Sequence, residues 1–118
     1  MNEPRIARAG TLIYIACPYS DPDPGVQRDR YYYACSYAAS LTIAGDTVFC
    51  QIAHAVALVE TGLISDTGFE FWRSHKRRWL DACSEVHALL LPGWESSRGM
   101  AWEIGYATTR RMPVRYIE

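Results

Sequence analysis

Leu89-Leu90-Leu91-Pro92-Gly93-Trp94 runs into Ser97-Arg98-Gly99-Met100 and then Glu103. The leucine run has the character of a buried strand, Pro92-Gly93 turns the chain, and a short polar loop follows. A helix is expected from about residue 99 to 110. Strand, loop and helix in that order bring Ser97, the Gly99 amide and a carboxylate together at the top of a strand. Free amides at a helix N-terminus attract anions such as phosphate. Glu103 lies four residues after Gly99, so it shares that helix face and points back toward the first turn. A phosphate cradle beside an acid is equipment for chemistry on a phosphorylated small molecule. The plainer alternative is a solvated glutamate early in a helix, with Ser97 serving only as its N-cap.

Working outward, Thr11-Leu12-Ile13-Tyr14-Ile15-Ala16-Cys17 is short, β-branched and closed by Pro18, as expected of a buried strand. Ser20-Asp21-Pro22-Asp23-Pro24-Gly25 is a loop dense in breakers. Residues 26–44 read as an Ala- and Tyr-rich helix, with Gly45 at its C′ position. A second strand is expected at 47–50 and a third at 86–91, with a last one at 113–117. Residues 69–83 read as a helix. Residues 52–68 are ambiguous, with a short helix up to residue 63 and a loop punctuated by Gly62 and Gly68. This order predicts right-handed crossovers and an α/β domain whose parallel sheet is covered on both faces. Ligands of such folds sit beyond the carboxyl ends of the strands, at the switch in strand order. The loops at 18–25 and 92–98 both fall there.

A length of 118 residues allows one domain. At 49% hydrophobic and 21% charged residues the chain reads as an ordinary folded, soluble protein. A formal net charge of −1 argues against a nucleic-acid polymer as the main partner. The run His75-Lys76-Arg77-Arg78 reads as a solvated helix face, with phosphate steering as the alternative. No apolar stretch reaches the about 20 residues that a bilayer span requires. Residues 1–10 carry Arg5 and Arg8 but lack the apolar core of a signal peptide. A cytoplasmic protein without a membrane partner is expected. Cys17, Cys35, Cys50 and Cys83 are widely spaced, which predicts free thiols rather than zinc ligation or disulfides.

Further candidates lie around the same edge. Asp81, near the end of the helix before the third strand, is solvated in the ordinary reading. Brought close to Glu103 it would complete a carboxylate pair able to break a glycosidic bond. Tyr14 sits three residues before the first loop, from where its hydroxyl can reach the site. His54 follows the second strand and is either a structural or a site residue. The run Tyr31-Tyr32-Tyr33 spans nearly a full helix turn, so some rings must face solvent or a partner, and a homodimer or larger assembly is expected.

Taken together, these residues resemble the nucleoside 2-deoxyribosyltransferase superfamily, and within it the small bacterial and phage branch labelled DUF1937. The resemblance rests on Tyr14-Ile15-Ala16-Cys17-Pro18-Tyr19-Ser20, the Asp21-Pro22-Asp23-Pro24 loop and Gly45-Asp46-Thr47-Val48-Phe49. It continues through Ile52-Ala53-His54, Phe71-Trp72, Asp81 and Leu91-Pro92-Gly93-Trp94, and ends on Ser97, Gly99, Glu103 and Ala107. It implies a flavodoxin-like or Rossmann-like three-layer domain with a four- to five-stranded parallel sheet, often with a site completed across a homodimer. It also implies cleavage or exchange of an N-glycosidic bond without metal or cofactor. Glu103 matches the family's nucleophile, Ser97 its phosphate-binding serine and Tyr14 its first-strand tyrosine. The family's catalytic aspartate falls slightly upstream of Asp81, near Trp79. Trp94-Glu95-Ser96-Ser97 lacks the loop aspartate of the transferases, which favours a phosphate-binding hydrolase.

The expectation is therefore an N-glycosidase acting on a (deoxy)nucleoside 5′-monophosphate. In this reading Glu103 attacks C1′, Asp81 assists the departing base and then activates water, and Tyr14 lies near the sugar. Ser97 and Gly99, with Pro18, Tyr19, Ser20, Arg28, His54 and Met100, line the substrate site. A base-exchanging transferase and a catalytically silent nucleotide sensor are the rivals.

Overall fold

In the computed structural model, which describes residues 11–65 and 67–118, four short runs form parallel strands. They are β1 (Ile13–Ala16), β2 (Val48–Cys50), β3 (Glu85–Leu89) and β4 (Val114–Ile117). The sheet order is β2-β1-β3-β4, with β1 paired in parallel to both β2 and β3. The helices are α1 (Pro24–Ile43), α2 (Gln51–Val59), α3 (Phe69–Ala82) and α4 (Arg98–Thr109). This is a single flavodoxin-like, three-layer α/β arrangement, as expected. The sequence reading of residues 1–10 falls outside the described residues.

Strand alternation divides the core into two halves. Tyr14, Ala16, Val86 and Ala88 pack on one face with Leu80, Cys83, Met100 and Ala107 from the α3–α4 side. Ile13, Ile15 and Leu89 pack on the other with Ala34 of α1. Burying a large apolar side chain in such a layer contributes about 1.5–3 kcal/mol. The central strand β1 is buried at all four positions, as its run of apolar residues requires.

Three local differences from the sequence reading have simple causes. α1 begins at Pro24 rather than residue 26, because the Asp23 carboxylate caps it by accepting from the Gly25 amide at 2.8 Å, and Pro24 takes the first helical position. β3 ends at Leu89 rather than residue 91, because the Leu91 amide turns back to the Leu89 carbonyl and takes the chain out of the sheet. α2 starts directly after β2, with no intervening loop, and resolves the ambiguous stretch as a helix to Val59. Gly45, at φ 97°, follows the end of α1 as the sequence predicts.

The chain leaves β1 toward one edge of the sheet and returns through β3 to the other, so the crevice of the fold lies between the carboxyl ends of these two neighbours. A buried guanidinium ties its two rims together. Arg30 of α1, 8% exposed, donates through Nη1 to the Ser20 carbonyl at 3.0 Å and the Tyr19 carbonyl at 3.4 Å. Its Nη2 donates to the Pro92 carbonyl at 2.8 Å. Gly93 is fixed by the same contact. Its φ is 90°, and a Cβ there would stand 2.8 Å from Arg30 Nη2. Replacing Arg30 with Met keeps the stem and strands three carbonyls, so unfolding in urea should show a loss of about 1.5–3 kcal/mol. Amide exchange should accelerate in the two loops before it does so in β1. An unchanged stability and loop protection would show that the clamp holds nothing.

Candidate functional site

Glu103 is the charged residue on which the site is built. It lies on the inward face of α4 with Met100 and Ala107 and is only 2% exposed. The Tyr14 hydroxyl, itself fully buried on β1, donates to its Oε2. The Lys76 ammonium on α3 stands 3.8 Å from the same oxygen, with its side chain 15% exposed. Burial pushes the Glu103 carboxyl up, opposed by the Lys76 charge and by the Tyr14 hydrogen bond. Burial and the adjoining carboxylate push the Tyr14 hydroxyl well above its usual range, so it remains a neutral donor. At 3.8 Å an ammonium–carboxylate pair is worth about 4 kcal/mol at an effective dielectric of about 20, enough to offset much of the cost of burial.

The first turn of α4 lies beside this group. Ser97 is its N-cap, accepting from the Met100 amide at 3.2 Å. That bond consumes one of the four N-terminal amides and leaves those of Arg98 and Gly99 without an intrahelical acceptor. A Cβ built on Gly99 would stand 3.0 Å from Lys76 Nζ and 4.0 Å from Ser97 Oγ. Glu103, Lys76, Gly99 and Ser97 thus form one contiguous group under the rim of the crevice. Met100, expected to line the site, is instead 1% exposed and part of the core, so only its amide takes part.

Asp81 does not join this group. Its carboxylate accepts from Tyr106 and Arg110, and its side chain is 41% exposed. These bonds hold its carboxyl below the usual range. The cause is helix register. α3 and α4 run parallel, touching at Arg98 over the Phe69 ring, at Lys76 with Glu103 and at Asp81 with Arg110. Asp81 lies five residues past Lys76, hence about 7.5 Å further along α3 and at the other end of the pair. The shallow depressions beside it, lined by Arg73, Ser74, Arg77, Trp102 and Tyr106 or by Arg77, Arg78, Asp81 and Ala82, do not include Glu103.

The remaining expected residues divide in the same way. Pro18 is fully buried, and Tyr19 and Ser20 form the rim held by Arg30. Arg28 is exposed on α1. His54 faces His75, with the two Nε2 atoms 3.3 Å apart and the rings stacked at 4.9 Å. Phe49 contacts His54, stacks on Trp79 at 4.0 Å and approaches the Tyr14 ring at 5.7 Å. Burial and the neighbouring His54 lower the His75 imidazole. An aromatic wall therefore runs from the Tyr14–Glu103 pair to the two histidines, with Trp79 in it.

All four cysteines are free, and burial pushes the Cys17 and Cys83 thiols up to about 12, which makes them inert core groups. Among the described residues no three His, Cys, Asp or Glu side chains converge to hold a metal ion. None of the described helices is long and apolar enough to cross a membrane.

Two residues that matter here do not stand out in the sequence. Lys76 merges into a basic run, and Arg28 draws notice where Arg30 does not. The available signal is periodicity. Lys76 falls on the stripe of Trp72, Leu80 and Cys83, and Arg30 on that of Ala34, Tyr37 and Leu41, where an apolar residue is expected.

No curated protein matches the chain. A family model described as a domain of unknown function, DUF1937, matches residues 11–118, which covers the sheet, all four helices and every residue of the group around Glu103. The chain belongs to the DUF1937 family.

Proposed function

We propose that the protein hydrolyses the N-glycosidic bond of a (deoxy)nucleoside 5′-monophosphate, releasing free base and (deoxy)ribose 5-phosphate. The observation that carries this reading is the buried Glu103 carboxylate, held by Tyr14 and Lys76 beneath the first turn of α4. A carboxylate so placed can attack C1′ as the bond to the base breaks, and the base leaves with the bonding pair and takes a proton from solvent, which the water of the second step returns. Water then adds at C1′ and frees Glu103, so the configuration is retained. The Ser97 hydroxyl and the Arg98 and Gly99 amides would hold the 5′-phosphate, whose binding energy orients the sugar. Asp81 is not given the proton-transfer role, since its bonds to Tyr106 and Arg110 keep it at the far end of the helix pair.

The raised Glu103 carboxyl weighs against a silent sensor, in which an unperturbed acid would be expected. The nucleoside 2-deoxyribosyltransferase likeness, a homodimer formed through exposed Tyr32 and Tyr33 of α1, and a cytoplasmic setting belong to the same proposal.

Chromatography of nucleotides and nucleosides after incubation tests it through the appearance of free base. Glu103→Gln keeps the size and removes the attacking charge, so turnover should fall far more than tenfold, beyond about 1.4 kcal/mol of barrier. As pH falls through the raised Glu103 midpoint the nucleophile protonates, so activity should fade on the acid side at a pH above the ordinary glutamate range. A mutant keeping a tenth of the activity excludes Glu103 as nucleophile.

Ser97→Ala should weaken monophosphates by roughly tenfold, the loss of a charge-assisted hydrogen bond, and leave nucleosides nearly unchanged. Equal weakening of both in a titration would remove the phosphate assignment and favour base exchange.

A further inference from the structure

Gly99 and Lys76 look unrelated in sequence, one a small residue in a first helical turn and the other part of a charge run. Their geometry joins them. Lys76 lies on the apolar stripe of α3, yet its ammonium reaches across to α4 and stops 3.8 Å from Glu103 Oε2. Its tip lies against Gly99, where a Cβ would stand 3.0 Å from Nζ. A contact that tight obliges the neighbour to move. A side chain at Gly99 would therefore press on the ammonium at the point where it faces the carboxylate.

We propose that Lys76, seated against Gly99, is the positioning residue that keeps the buried Glu103 carboxylate charged and directed. This rests on reading Glu103 as the nucleophile, and it assigns a role to a residue that touches the reacting atoms only through Glu103. Among the described residues, the groups around the carboxylate are few. Tyr14 faces it from β1 as a neutral donor, and Lys76 faces it from α3. The Cys17 and Cys50 thiols, which feel its charge, are raised by burial and stay neutral. Lys76 is thus the cation of this group, and Tyr14 alone would leave a full negative charge buried.

The separation of roles is measurable without substrate. Carbon-detected NMR of the Glu103 carboxyl, followed through a pH titration, reads its charge directly. Lys76→Met places an apolar side chain on an apolar stripe, so the fold persists, and the Glu103 midpoint should move to higher pH. Lys76→Arg should restore a midpoint near that of the wild type. Gly99→Ala leaves a helical residue in a helical backbone and crowds only the ammonium, so it should move the midpoint part of the way. Combined with Lys76→Met it should add nothing further, because the group it displaces is gone. In parallel, the acid limb of activity should follow the titration, with kcat falling.

A Glu103 midpoint that stays in place in folded Lys76→Met overturns the proposal, and so does a further shift in the double variant. The titration gives its answer whether or not base release is ever detected, so it stands apart from the fate of the glycosidase reading.

Discussion

A carboxylate at 2% exposure cannot remain charged without a donor and a counter-charge, and the elements around Glu103 are disposed to supply both. The donor comes from the central strand, where Tyr14 is fully buried and β1 is flanked by β2 and β3. The counter-charge comes from α3, which lies parallel to α4 with Lys76 opposite Glu103. Neither partner is close in sequence: Tyr14 precedes Glu103 by 89 residues. The pairing exists only because β1 and β3 are neighbours and because α3 and α4 cover the same face. The switch in strand order thus places the crevice and the charged group together.

A second buried charge supports the first. Arg30 fastens the loop after β1 to the loop after β3 through three carbonyls, and Gly93 is compelled both by its φ and by the guanidinium beside it. The rim of the crevice is therefore held by the protein before any ligand arrives, which lowers the ordering cost of binding. The paired His54 and His75 rings extend the same wall, and the buried Nδ1 of His75 has no hydrogen-bond partner among the described residues.

Much of this is legible in the chain. The closed apolar run ending at Pro18 states one parallel strand, the apolar run that starts at Val86 states a second although its last two leucines lie beyond β3, and Gly45 marks where α1 stops. Glu103 and Tyr14 can be placed at one edge from spacing alone. Asp81 cannot be excluded that way, because residues 76 and 81 both belong to one helix and only the pairing of that helix with α4 shows which end each one occupies. Lys76 and Arg30 are hidden for a different reason. A charge in a basic or polar run is ordinarily solvated, and only its coincidence with an apolar stripe marks it as turned inward. Met100 fails for the reverse reason, since its place in the first turn of α4 says nothing about its side chain facing the core.

The proposed chemistry depends above all on Glu103 as the group that captures the sugar. Incubating the protein with a 2′-deoxynucleoside 5′-monophosphate, quenching in acid and sequencing the peptides by mass spectrometry tests this directly. The predicted result is a deoxyribose 5-phosphate adduct on Glu103, lost when free base is added back. Base release with no adduct on Glu103, or with the sugar on another carboxylate such as Asp81, would contradict it.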